Sequence, residues 1–122
     1  MVDKAKIESI VADTMAANAD IEGVVVCDSK AKVIFGHTVM AGVKHSEVAD
    51  LAVKIATNSS GLAGKLDKGG LNEVSIASEK GFIIVLGDVK MVLAGIAGEG
   101  ARESLGLLRM ALRRALRAMV AD

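Results

Sequence analysis

Few residues of this chain have the chemistry of a reactive centre, and their spacing disposes of most of the options. Cys27 is the single cysteine. A nucleophilic thiol needs a nearby cation or imidazole to draw off its proton. Cys27 instead ends the apolar run Gly23-Val24-Val25-Val26-Cys27, which predicts a buried thiol behaving as a small hydrophobe. His37 and His45 have no cysteine or spaced carboxylates to complete a metal set, and they read as polar loop residues. Gly95-Ile96-Ala97-Gly98-Glu99-Gly100 has the glycines of a phosphate cradle. It lacks the Gly-Lys-Ser/Thr of a nucleotide loop, and Glu99 would repel an anion, so a strand-to-helix turn is expected. Every arginine lies between positions 102 and 117. Arg109, Arg113 and Arg117, with Arg102 near i−7, can share one helix face. That face is expected to be solvated. It is also the candidate surface for an acidic partner, for nucleic acid or for membrane phosphates. An arginine donated to another protein's active site is disfavoured, because no arginine lies in a predicted loop. No catalytic residue, cofactor or metal is expected.

The elements that must position these groups follow from hydrophobic periodicity. Residues 3–18 carry Ile7, Ile10, Val11 and Met15 at helical spacing, with Asp3 as N-cap and Asn18-Ala19-Asp20 as the stop. Ile21 to His37 reads as a hairpin: an apolar strand, a turn at Asp28-Ser29-Lys30-Ala31, and a return through Lys32-Val33-Ile34-Phe35. Successive strand side chains point to opposite faces, so Val24-Val25-Val26 demands a cover on both sides of the sheet. His37 to Lys44 is expected to be a loop. A second helix is predicted over Ser46–Gly64, capped by Ser46. It carries one stripe of Val48, Leu51, Ile55 and Leu62 and an adjoining small-residue stripe of Ala49, Ala52, Val53, Ala56 and Ser60. Asn72–Ser78 alternates, with Val74 and Ile76 facing one way, as in a half-buried edge strand. Phe82–Leu86 and Met91–Ala97 follow, joined by a two-residue turn at Gly87-Asp88 and preceded by a bulged turn ending at Gly81. A final helix is predicted from about Glu99 to Val120, with Leu105, Leu108, Leu112, Leu116 and Met119 inward. The order α-β-β-α-β-β-β-α gives an α+β sandwich, a five-stranded antiparallel sheet between helices.

Composition excludes several function classes. The chain has 122 residues and is expected to form one domain over 1–122. Its formal net charge is zero, so no global basic field recruits nucleic acid. Aromatic content is 2%, too little for the stacking platforms of single-strand readers. No run approaches the roughly 20 apolar residues of a spanning helix. The start of the chain does not resemble a signal peptide. With one unpaired cysteine, these features lead to the expectation of a cytoplasmic protein.

The element order, the hairpin I-E-G-V-V-V-C-D-S-K-A-K-V-I-F, the small-residue second helix and the meander F-I-I-V-L-G-D-V-K-M-V-L-A-G-I-A together resemble the Roadblock/LC7 family from Ile7 to Met119. Two departures stand out. Ala31 occupies the end of the first turn, where members usually carry Gly, and the final helix is unusually rich in arginine. The resemblance implies a non-enzymatic homodimer formed through the second helix and an edge strand. Such a module acts as scaffold or regulator of a small Ras-like GTPase or of a larger signalling or motility complex. The residues agree with that implication at two points. Pairing Val74 and Ile76 of the edge strand with a second copy removes an open edge, and Ala49, Ala52, Val53, Ala56 and Ser60 let two helices approach closely. Arg109, Arg113 and Arg117 are further candidates for partner contact. A second reading is a small-ligand sensor, which needs a sizeable cavity between sheet and helix.

Overall fold

The computed structural model describes residues 3–87 and 90–121. The chain runs α1 (Lys4–Ala17), β1 (Ile21–Asp28), β2 (Val33–Thr38), α2 (His45–Lys65), β3 (Val74–Ser78), β4 (Gly81–Gly87), β5 (Met91–Gly98), a single 3-10 turn (Glu99–Ala101) and α3 (Leu105–Val120). The five strands form one sheet in the order β2-β1-β5-β4-β3, and every neighbouring pair is antiparallel. The α+β sandwich expected from the sequence is therefore the observed fold.

The demand set by Val24-Val25-Val26 is met from both sides. Val24 and Val26 join Phe82, Ile84, Leu86 and Leu93 beneath Ile7, Val11, Leu108, Leu112 and Leu116, so α1 and α3 cover one face. Val25 and Cys27 join Val85, Val92 and Ala94 beneath Ala49 and Ala52 of α2, which covers the other. Strand β5, which carries the longest apolar run, sits at the centre between β1 and β4, and β2 and β3 are the edges.

Two of the five residues in the small-residue stripe of α2 depart from the sequence expectation. Ala49 and Ala52, expected at a surface between two copies, are 0% and 4% exposed and pack against the sheet inside the protomer. Alanine lets a helix axis settle close to the strands, and the larger stripe is carried outward. Leu51 and Leu62 are 58% and 62% exposed, while Val48 and Ile55 are half-buried.

Several boundaries also move. The second helix begins at His45, with Lys44 as an N-cap that makes no side-chain bond, so Ser46 is not the cap. Gly61 and Gly64 lie inside it. Strand β2 extends to Thr38, which places His37 in a strand and His45 in a helix, not in a loop. Gly36 is what permits this: a Cβ there would stand 2.6 Å from Nδ1 of His45. The Glu79-Lys80 connection is tight and unbulged, with Ser78 opposite Gly81 in continuous register. Gly87 belongs to β4, paired with Val92, so it is not a turn residue. Its expected turn partner Asp88 lies outside the described residues. The final helix is not continuous from Glu99. The chain leaves β5 through the 3-10 turn, which buries Ala101, and α3 starts only at Leu105. Arg102 is thereby taken off the face shared by the other arginines, and its guanidinium lies 5.3 Å from the Phe82 ring centroid.

Candidate functional site

Two surfaces hold the residues singled out by sequence, one on each side of the sheet. The first is the outer side of α2 together with β3. Val53, Ala56 and Ser60 lie along an open groove of about 670 Å³ between the second half of α2 and the sheet, with Leu71 and Val92. Val74 and Ile76 are half-buried on β3. Leu51, Leu62 and Leu66 are exposed along α2 and its C-cap, and Ile83 is exposed on β4 opposite Ile76. The structure thus brings Val53, Ala56, Ser60, Val74 and Ile76 to one side of the molecule and removes Ala49 and Ala52 into the core. It adds four large apolar residues that the small-residue stripe did not point to. Their signal was present in the sequence: a helix with two apolar stripes can bury only one of them against its own sheet. Among the described residues that line the groove, the side-chain polar groups are the hydroxyls of Ser29, Thr57 and Ser60, and none is charged.

The second surface is α3. No acidic residue occurs in Leu105–Val120, and its arginines would repel one another without a counter-charge. That counter-charge comes from Glu73, the residue before β3. Its side chain is 9% exposed. Its two oxygens accept hydrogen bonds from Nε of Arg109 and Nη2 of Arg113, and Oε2 also accepts one from the Ser75 hydroxyl at 3.2 Å. Burial alone would push the Glu73 carboxyl up, but the bond and charge of Arg109, then Ser75 and Arg113, hold it below the usual carboxylate range. Arg109 and Arg113 are therefore tied within the chain, with their outer faces still reaching solvent. Arg117 is exposed and lines a cleft of about 280 Å³ with Arg113, Asn72 and Leu71. In the sequence Glu73 is one of the positions of Asn72–Ser78 that alternate with Val74 and Ile76. The overlooked signal is parity. If Val74 and Ile76 face α2, then Glu73 faces α3 and its unneutralised arginines.

The remaining candidates form no reactive centre. Cys27 is buried, and desolvation, with the neighbouring Asp28 charge, pushes its thiol up to about 11. Such a thiol is protonated and a poor nucleophile at neutral pH. The glycines at the end of β5 are lined by acid. A Cβ on Gly98 would stand 2.8 Å from a Glu22 oxygen, and one on Gly100 2.8 Å from an Asp20 oxygen. That surface repels phosphate. Among the described residues no three His, Cys, Asp or Glu side chains gather as a metal site, and no helix is long and apolar enough to cross a membrane.

No protein-family model matches the chain, and no curated protein matches it in sequence. Solved structures do match it. Myxococcus xanthus MglB superposes with a TM-score of 0.81 at 19% identity, over 93% of this chain and 90% of that one. The gliding protein MglB of Thermus thermophilus gives 0.80 at 19% identity, over 95% and 87%. A Roadblock/LC7 domain from Streptomyces avermitilis gives 0.74 at 16% identity, over 89% and 92%. The chain has the Roadblock/LC7 fold.

Proposed function

We propose that this protein is a non-catalytic homodimer that binds a small Ras-like GTPase, or a larger motility or signalling assembly, through the surface over its paired second helices. The observation that carries the reading is the apolar side formed by Leu51, Leu62, Leu66, Ile83, Val74 and Ile76 beside the open edge of β3. A row of unpaired strand amides next to exposed leucines is costly in water. A second copy related by a two-fold axis supplies both a strand and a matching helix. The fold shared with MglB supports the same arrangement, since the Roadblock/LC7 resemblance implies self-association on this side. The dimer would then stabilise one nucleotide state of its partner by binding it preferentially, which requires differential affinity but no chemistry of its own.

Sedimentation equilibrium tests the dimer. The wild type is expected to be dimeric at micromolar concentration, and Leu51→Asp/Leu62→Asp to be monomeric with an unchanged far-ultraviolet spectrum. A monomeric wild type overturns the reading. Titration with a candidate Ras-like GTPase loaded with GDP or with a GTP analogue tests the partner, and equal affinity for both states leaves an anchor, not a regulator.

A further inference from the structure

Strand β3 is poorly held for an element expected to carry an interface. It has five residues and a single strand neighbour, β4. The segment that delivers it, Leu66 to Gly70, is exposed, and two of its residues, Asp67 and Gly69, have left-handed backbone with φ of 56° and 82°. Glu73 is the first residue after this segment whose side chain is anchored to another element. Its carboxylate is held by two guanidiniums one helical turn apart on α3, across the sheet from α2. The next residue, Val74, packs on the opposite face with the α2 cluster. The entry of β3 is thus gripped from both faces of the sheet, by an ion pair on one and an apolar contact on the other.

We propose that the Glu73–Arg109–Arg113 cluster is a latch that orders the β3 edge for pairing with a second copy, so that α3 controls self-association without touching the partner subunit. The inference rests on the homodimer reading above. A carboxylate this enclosed keeps its position only while both guanidiniums neutralise it. A strand edge binds a second strand well only if its amides are already aligned, because ordering them on association subtracts from the affinity. Glu73 therefore acts as a positioning residue for the seam.

The test is the dimer dissociation constant of Glu73→Gln by sedimentation equilibrium, with amide hydrogen exchange across Val74–Ser78. Gln keeps the shape and removes the charge. The latch predicts at least a tenfold weaker dimer. In samples dilute enough to be monomeric, it also predicts faster exchange of the β3 amides, with β1 and β5 amides unchanged. Where Glu73→Gln does not fold, Arg113→Gln, which leaves the Arg109 bond in place, is expected to give a smaller shift in the same direction. A dimeric wild type whose variants have the same dissociation constant and the same β3 exchange overturns the latch alone. A monomeric wild type overturns the homodimer reading and the latch with it.

Discussion

The two faces of the sheet are covered in opposite styles. On the α1/α3 face the large side chains point inward: Ile7, Ile84, Leu86, Leu93 and Leu112 are all fully buried. On the α2 face the fully buried helix residues are Ala49 and Ala52, with Val48, Val53 and Ile55 half-buried around them, and Leu51 and Leu62 remain outside. The first arrangement buries its apolar surface within the protomer. The second keeps part of it at the surface. A helix stripe of small residues is therefore ambiguous in a sequence, because close approach to the chain's own sheet and close approach to a second copy ask for the same residue types.

The contrast can be broken most severely on the closed face. Leu112→Ala is expected to cost about 3–4 kcal/mol in chemical denaturation, the cost of a cavity in a site that cannot collapse. A loss below ~1 kcal/mol would show that α3 packs loosely. On the α2 face the damaging change is the opposite one. Ala49→Leu inserts volume where the helix sits closest to the strands and is expected to cost about 1–3 kcal/mol, read as a fall in thermal midpoint. If Leu is accommodated at no cost, the alanine contact is not tight.

Glu73 lies on the α3 face of the strand whose next residue, Val74, packs on the α2 face, and its contribution to stability has a pH signature. Its folded pKa lies below its unfolded value of 4.5, so ionised Glu73 favours the folded state above that value, and the benefit is lost as pH falls through the folded pKa. Solvent at the half-exposed guanidiniums screens part of it. Glu73→Gln is expected to be less stable by about 1–2 kcal/mol at pH 7, with the gap narrowing below pH 4.5 in urea titrations. A gap that does not change with pH would mean that the carboxylate contributes packing only.

Ala31 belongs to neither face. In the β1–β2 turn Asp28 Oδ1 accepts bonds from the amides of Lys30 and Lys32, both at 2.9 Å, and Ala31 is forced to a φ of 65°. Those two amides hold the Asp28 carboxyl below its usual range. A left-handed alanine is strained, so Ala31→Gly is expected to gain about 0.5–1 kcal/mol in spite of the extra backbone freedom of glycine in the unfolded chain. The smallest effect is expected at the exposed stripe. Leu51→Ser should change stability by less than about 0.5 kcal/mol in a sample dilute enough to be monomeric, whereas a larger loss there would place Leu51 in the core.

Element order, sheet composition and the two-sided cover were legible because period-2 and period-3.6 patterns are local. Val24-Val25-Val26 needs no tertiary information to demand two layers. The first helix cap was legible for the same reason: Asp3 accepts from the Lys6 amide at 3.0 Å. What the pattern could not show was which of the two α2 stripes faces the sheet, since that depends on how close the helix axis sits. It also could not show that Gly36 continues a strand, since the reason is the His45 ring, nine positions away. Parity puts Glu73 on the α3 face, but its partners Arg109 and Arg113 lie 36 and 40 residues away in sequence, a pairing that local periodicity does not specify.

The strand order carries one more consequence, for the time course of folding. The N-terminal hairpin β1–β2 and the meander β3–β4–β5 meet only where β1 pairs with β5, bringing Ile21 beside Ala97 and Asp28 beside Met91. Until the fifth strand is available, the growing chain holds a two-stranded half whose most apolar strand, Val24-Val25-Val26, has an open side. Closing that seam brings together residues far apart in sequence, a cost that slows folding. During synthesis the first strand must wait for roughly seventy residues before its partner exists, so the central ladder of the finished molecule is among the last that the chain can begin.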